Sequence, residues 1–217
     1  MRHFKFFTSI FTMTKSFLVG ASLMYVATIQ PAVSDVYFGV DGGFVQADLK
    51  AEQTASRLAT LSGSTVSYVY DEAAGYFRGY LGVPVNENVS IEGGYFKTGS
   101  LDATYTISGA SATESYDANG FEISAVLRGE DIKKGGFYAR GGMHFSELNG
   151  LANITIGGTT YNIASMSASG SGMLLGAGVE LEKSADGAGI RFGIDFYNSI
   201  GGIDDADFTL FYIGYAF

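Results

Sequence analysis

The chain has 217 residues, 31 of them Gly, with no Cys, no Trp and a formal net charge of −9. The absence of Cys excludes a disulfide framework and any thiol chemistry, and the acidic balance argues against a nucleic-acid partner. Beyond residue 34 no apolar run is long enough for a membrane-spanning helix, so a helical membrane protein is excluded.

The N-terminus is basic. Arg2, His3, Lys5 and Lys15 precede an uncharged apolar run from Phe17 to Ile29, and no Asp or Glu occurs before Asp35. That run suits a signal-peptide core and is too short to cross a bilayer as a helix. Pro31-Ala32-Val33-Ser34 puts small residues at the cleavage-determining positions. The expected division is a signal peptide over 1–34, with Met1 or Met13 as its start, and one β-domain over 35–217.

Eight segments then alternate with period two, as strands with one apolar face do. Val36 to Phe44 sets Val36, Phe38, Val40 and Phe44 against Tyr37, Gly39, Asp41 and Gly43. Tyr76 to Val85 sets Phe77, Leu81 and Val83 against Arg78 and Tyr80; Val89 to Tyr95 sets Ile91 and Tyr95 against Ser90 and Glu92. Phe121 to Arg128 carries Glu122 and Arg128 opposite Phe121, Ile123 and Leu127. Phe137 to Phe145 carries Arg140 and His144 opposite Phe137, Met143 and Phe145. Met173 to Leu181 places Glu180 opposite Leu175 and Val179, and Ile190 to Tyr197 places Arg191 and Asp195 opposite Phe192 and Ile194. Thr209 to Phe217 is the eighth.

Every clear mid-strand charge therefore lies on the face opposite the apolar one: Asp41, Arg78, Glu92, Glu122, Arg128, Arg140, Glu180, Arg191 and Asp195. Alternation alone fits a soluble sandwich with water on the polar face as well as a membrane barrel with lipid on the apolar face. The signal peptide, the terminal Phe217 and the number of outward aromatics favour the membrane barrel over a soluble sandwich or lipocalin-like barrel, and the connection lengths agree. The connections at Asn86–Asn88, Gly129–Gly136 and Glu182–Gly189 are short, whereas those at 45–75, 96–120 and 146–172 are long. Short turns at one end and long loops at the other is the outer-membrane arrangement. A three-residue turn at Asn86-Glu87-Asn88 predicts Val85 opposite Val89, hence Gly82 opposite Glu92 and Tyr80 opposite Gly94. In the third long connection, residues 153–156 and 159–163 flank Gly157-Gly158 and read as a hairpin rising beyond the membrane.

The final segment adds a second signal. Phe211, Ile213, Tyr215 and Phe217 form an alternating apolar series that resembles the C-terminal assembly signal of Gram-negative outer-membrane barrels. Together with Asp35–Gly43, Gly79-Tyr80-Leu81-Gly82-Val83 and Ile91-Glu92-Gly93-Gly94-Tyr95, this gives a chain that resembles the OmpA-like eight-stranded outer-membrane β-barrel family, which includes OmpX-type and opacity-type surface proteins. The resemblance implies an all-β, eight-stranded antiparallel up-and-down barrel in the outer membrane. It also implies lipid and lipopolysaccharide as surroundings, and periplasmic chaperones and the barrel-assembly machinery as partners. A monomer is expected.

The interior of so narrow a barrel is filled by side chains. Four Arg and five acids enclosed together must satisfy one another, so the expected interior is a closed polar network, with a narrow ion or solute path as the alternative. Glu180 and Arg191, on strands joined by a short turn built around Ser184–Gly187, are expected to pair directly. His144-Phe145-Ser146 has the His-x-Ser spacing of outer-membrane lipid A deacylases. Here the pair points inward and Glu147 points away from it, so a structural histidine is expected and no enzyme. Asp204-Asp205-Ala206-Asp207 lacks the Gly and terminal Glu of an EF-hand loop and reads as a solvated acidic loop. No cofactor or metal is implied. Loop cations are few, which speaks against adhesion to acidic glycans, though a surface adhesin acting through the long loops is a further alternative.

Overall fold

The computed structural model describes residues 36–48, 50–129, 135–181, 189–204 and 206–217. The proposed signal peptide, and the turns that would hold residues 130–134 and 182–188, lie outside that set.

Described strands are β1 (Tyr37–Ala47), β2 (Ser67–Tyr70), β3 (Ala74–Pro84), β4 (Val89–Thr98), β5 (Leu101–Ile107), β6 (Ala110–Arg128), β7 (Gly136–Ile156), β8 (Thr159–Glu180), β9 (Gly189–Tyr197) and β10 (Phe208–Ala216). Eight of them close into an antiparallel barrel in the order β1-β3-β4-β6-β7-β8-β9-β10, and β10 returns to β1 with Asp41 opposite Gly214. Closure leaves no free edge through the barrel wall, which is what lets strands cross lipid with every backbone group paired. The fold is the eight-stranded up-and-down barrel expected from the sequence.

Register follows the turn chemistry. Val85 and Asn86 N–H donate to Val89 O, and the Asn86 side-chain oxygen accepts from the N–H groups of Asn88 and Val89 at 2.9 Å each. Pro84 then faces Ser90, Gly82 faces Glu92 and Tyr80 faces Gly94. At the other end, Gly157 (φ 58°) and Gly158 (φ 82°) supply the two left-handed residues of a tight hairpin turn, with Thr155 opposite Thr160.

The long connections are more ordered than loops. β6, β7 and β8 run for 19, 21 and 22 residues, about twice a membrane crossing, so their distal halves continue as a sheet above the barrel. β5 and β2 extend this sheet on the β6 side. The first connection also contains α1 (Ala51–Ser62), ended by Gly63 in the left-handed conformation. Ala51 and Ala55 are buried against Ala103 and Tyr105 of β5, with Leu58 at the margin. This i, i+4, i+7 stripe is a helical signal that a barrel reading passes over.

The outer face is apolar and unpartnered. Phe38, Leu81, Phe121, Phe137 and Leu175 are each more than half exposed. An apolar belt of this size is out of place against water and marks the lipid-contacting surface. The interior has a polar zone and an apolar zone. Polar side chains fill the end near the short turns. Above them lies an apolar layer that includes Val45, Phe96, Leu174 and Leu210, each at most 1% exposed. The inward face is thus polar over only part of its height, which corrects the expectation of a polar lumen throughout.

Candidate functional site

All nine charged side chains assigned to the inner face are buried, between 0 and 8% exposed. They form one connected set. Nearest the short turns, Arg128 makes a two-pronged contact with Glu180, its Nε donating to Oε2 at 2.6 Å and its Nη2 to Oε1 at 2.9 Å. Its remaining donors reach Ser90 Oγ (2.7 Å) and Tyr37 Oη (3.2 Å), and Tyr37 donates on to Glu92 (2.9 Å).

The next level holds Asp41, Arg78, Glu92 and Arg191. Arg78 donates to Asp41 (2.8 Å) and Glu92 (2.9 Å). Arg191 donates to both oxygens of Asp41 (2.9 and 2.6 Å) and to Glu92 (3.0 Å). Both guanidinium groups also lie near the Tyr80 ring, that of Arg78 4.4 Å and that of Arg191 4.0 Å from its centroid. Arg78 also pairs with Glu122, which links this level to the third. There Arg140 contacts Glu122 and donates to Asp195 (2.9 Å), while Tyr197 donates to Glu122. Buried charges are stable only when paired and hydrogen-bonded, and each of these has at least one such partner.

Glycines determine which pairs form. Arg191 on β9 and Asp41 on β1 are separated by β10, whose residue at that height is Gly214. A Cβ there would sit 2.0 Å from Asp41 Oδ1 and 3.0 Å from Arg191 Cγ. Gly176 stands in the same relation to Arg140 and Asp195, its hypothetical Cβ falling 1.9 Å from Asp195 Oδ1. Both ion pairs therefore pass over a glycine on the intervening strand. Other inward glycines lie under tyrosine rings: Gly82 under Tyr37, Gly39 under Tyr80, and Gly193 under Tyr138 and Tyr212.

This geometry corrects one expectation. Glu180 and Arg191 do stand opposite each other in register. Their ion pairs, however, go elsewhere: Glu180 to Arg128, and Arg191 to Asp41 and Glu92. Arg is long enough to cross a neighbouring strand, and the open floor over Gly214 gives Arg191 two carboxylates. Cross-strand register fixed the backbone neighbours but not the lumenal partners.

The model of the OmpA-like transmembrane domain matches residues 31–208. The chain belongs to that family. Three solved structures are similar to it. Ail, the attachment invasion locus protein of Yersinia pestis, is 12% identical with a TM-score of 0.45 over 84% of this chain and 99% of that one. Neisserial surface protein A is 9% identical, with a TM-score of 0.45 over 83% and 95%. The outer membrane protein OprG of Pseudomonas aeruginosa is 9% identical, with a TM-score of 0.47 over 85% and 97%. No curated protein matches the chain. As an OmpA-like barrel, the protein resides in the outer membrane, with its apolar belt against lipid.

In this OmpA-like barrel His144 and Ser146 are enclosed rather than aimed at lipid, at 0 and 5% exposed. His144 Nε2 lies 2.8 Å from the Asn198 carbonyl oxygen, so that nitrogen carries the proton and donates. Nδ1 is then the acceptor for the Ser146 hydroxyl at 3.1 Å, and Ser146 Oγ accepts the Gly201 N–H at 2.9 Å. Glu147 lies apart from this pair and accepts from Ser167 (2.6 Å). Asp205 is outside the described residues; its neighbour Asp207 accepts the Ser199 N–H at 3.0 Å. Among the described residues no cluster of His, Asp or Glu is arranged to hold a metal ion.

The terminal apolar series lies along the seam where the barrel closes. Phe217 N–H donates to Phe38 O at 2.8 Å, and the two rings stack at 4.6 Å. Phe211 stacks on Phe44 at 5.0 Å. Ile213 and Tyr215 are exposed on the outer face between them.

Proposed function

We propose that this protein is a non-enzymatic component of the outer-membrane surface that contributes to envelope structure, its barrel closed by an internally paired polar plug. The observation that carries this reading is the connected set of four buried arginines and five buried carboxylates. A conducting lumen needs charged groups free to exchange partners with water and ions. Here the guanidinium groups are shared among carboxylates, and the apolar layer around Phe96, Leu174 and Leu210 stands between them and the distal mouth. The enclosure of His144 and Ser146 supports the absence of enzymatic chemistry. In this reading the surroundings are outer-membrane lipid and lipopolysaccharide, and chaperones and the assembly machinery act on the chain through its apolar C-terminal strand.

The test is conductance in planar bilayers. Refolded protein whose gel mobility shifts on boiling is expected to give no discrete conductance steps. The same measurement on Arg140→Met is expected to show leak, because Glu122 and Asp195 lose a shared partner. Regular steps in the unmodified protein would establish the channel reading instead.

A further inference from the structure

Charge above the barrel is one-sided. The first two long connections carry Asp48, Glu52, Asp71 and Glu72, then Asp102, Glu114 and Asp117, against Lys50, Arg57 and Lys97. Such a surface attracts basic partners and repels acidic ones. Attraction alone does not make a site, because it is spread over the whole distal end.

A site is formed where α1 turns back into β2. Gly63, left-handed at φ 64°, ends the helix and lets the chain return beside it, and the Ser64 N–H donates to Ser62 Oγ at 3.3 Å. The helix buries Ala51 and Ala55 against β5. Its flank holds Glu52, Ala55, Ser56 and Ala59, spaced i, i+3, i+4, i+7 on one helix face, with no side chain larger than that of Glu52. Val66 and Tyr68 stand across from them. Between the two walls runs a groove of about 550 Å³, apolar at Ala55, Ala59 and Val66 and lined also by Glu52 and Tyr68. Tyr70 continues the Tyr68 wall. The two rings lie on the same face of β2, stacked at 6.3 Å and 24°, and are 38 and 41% exposed.

These groups together suit a long cationic side chain. Its methylene stem can pack on Ala55, Ala59 and Val66, its head can lie against the face of a tyrosine ring, and Glu52 supplies the opposite charge. A neutral or acidic side chain gains nothing from Glu52.

β2 indicates what kind of molecule would deliver that side chain. It is the outermost strand of the sheet, paired only with β5 among the described residues, and all four of its residues are exposed. Its free edge presents main-chain N–H and C=O groups that an added strand can pair with. Alternate side chains of such a strand would fall on the face of Tyr68 and Tyr70, beside the groove. Those between would fall on the face of Val69, which is 75% exposed. A second copy of the chain suits this edge poorly, since its own long connections carry the same acidic excess.

We propose that the α1–β2 edge is a docking site for an extended segment of a basic partner protein, in which Lys or Arg alternates with apolar residues. The basic side chains lie along Tyr68, Tyr70 and Glu52, and the apolar ones cover Val69.

The test uses the refolded protein in lipid vesicles and two fluorescein-labelled peptides of the same composition. Thr-Lys-Val-Arg-Val-Lys-Thr alternates; Thr-Val-Lys-Arg-Lys-Val-Thr does not. Fluorescence anisotropy is read at about 150 mM salt, where attraction between distant exposed charges is screened. The alternating peptide is expected to bind about tenfold more tightly than the other. Tyr68→Ala should weaken its binding about tenfold and Glu52→Gln about threefold. Glu147→Gln, which removes a charge from β7 away from the groove, should stay within about twofold of the unmodified protein. Should Tyr68→Ala fail to fold, Ser56→Phe decides, because it fills the groove from the exposed flank of α1 and should weaken binding to the same degree. Equal affinity for the two peptides would overturn the proposal, as would equal losses in Glu52→Gln and Glu147→Gln, since charge alone would then explain the attraction. Absence of binding by the alternating peptide would overturn it as well.

Discussion

At the scale of single residues, the interior is organised by where side chains are missing. Gly214 and Gly176 leave the floor over which Arg191 reaches Asp41 and Arg140 reaches Asp195. Gly79, on the outer face, has nothing within 4 Å of its hypothetical Cβ. Gly214→Ala should therefore cost on the order of 3–5 kcal/mol, the penalty of stranding a buried charge. Gly79→Ala should lie within about 1 kcal/mol of neutral. Urea unfolding of both variants in lipid vesicles compares them, and similar losses would show that the glycines serve the backbone rather than the ion pairs. The partner exchange at Glu180 gives a second test. In double-mutant cycles, Glu180→Gln with Arg128→Met should show a coupling on the order of 1–3 kcal/mol, larger than that of Glu180→Gln with Arg191→Met. The reverse order would restore the directly opposed pair.

At the scale of elements, each barrel strand carries two separate instructions. Alternation assigns the outer face, and it was legible throughout: Phe192 and Ile194 point out, Arg191 and Asp195 point in. Ile194→Arg should destabilise the refolded barrel by about 2–4 kcal/mol, the cost of a cation at mid-bilayer. Tyr161→Arg, on the exposed distal part of β8, should change stability by less than about 1 kcal/mol. Chemical denaturation in vesicles measures both, and a tolerated Ile194→Arg alongside a damaging Tyr161→Arg would invert the placement of the membrane. The second instruction is where alternation breaks. Phe44-Val45, Tyr95-Phe96, Leu174-Leu175 and Leu210-Phe211 each put large apolar residues on both faces at once. All four occur at the distal end, where the lumen turns from polar to apolar. That signal was present in the sequence but carries meaning only once the strands are aligned around the barrel. α1 was hidden for a different reason. Its Ala51, Ala55, Leu58 stripe is short and weakly apolar, and it becomes a packed face only because Ala103 and Tyr105 of β5 lie beneath it.

For the whole molecule, closure is the deciding event. It converts strand faces into an inside and an outside and places residues distant in sequence within hydrogen-bonding reach, such as Asp41 and Arg191 or His144 and Asn198. By itself the sequence determined the strand faces, the register at Asn86–Asn88 and the hairpin turn at Gly157-Gly158. These depend on local period and turn geometry, which neighbouring residues dictate. Only the tertiary structure decided which arginine meets which carboxylate, that the distal interior is apolar, that β6, β7 and β8 extend far beyond the barrel, and that Ile200 of the last connection is buried in that apolar layer. Each of these depends on distances across the lumen or between non-adjacent strands. Such distances are set by how the whole sheet wraps around on itself, and no run of neighbouring residues encodes them.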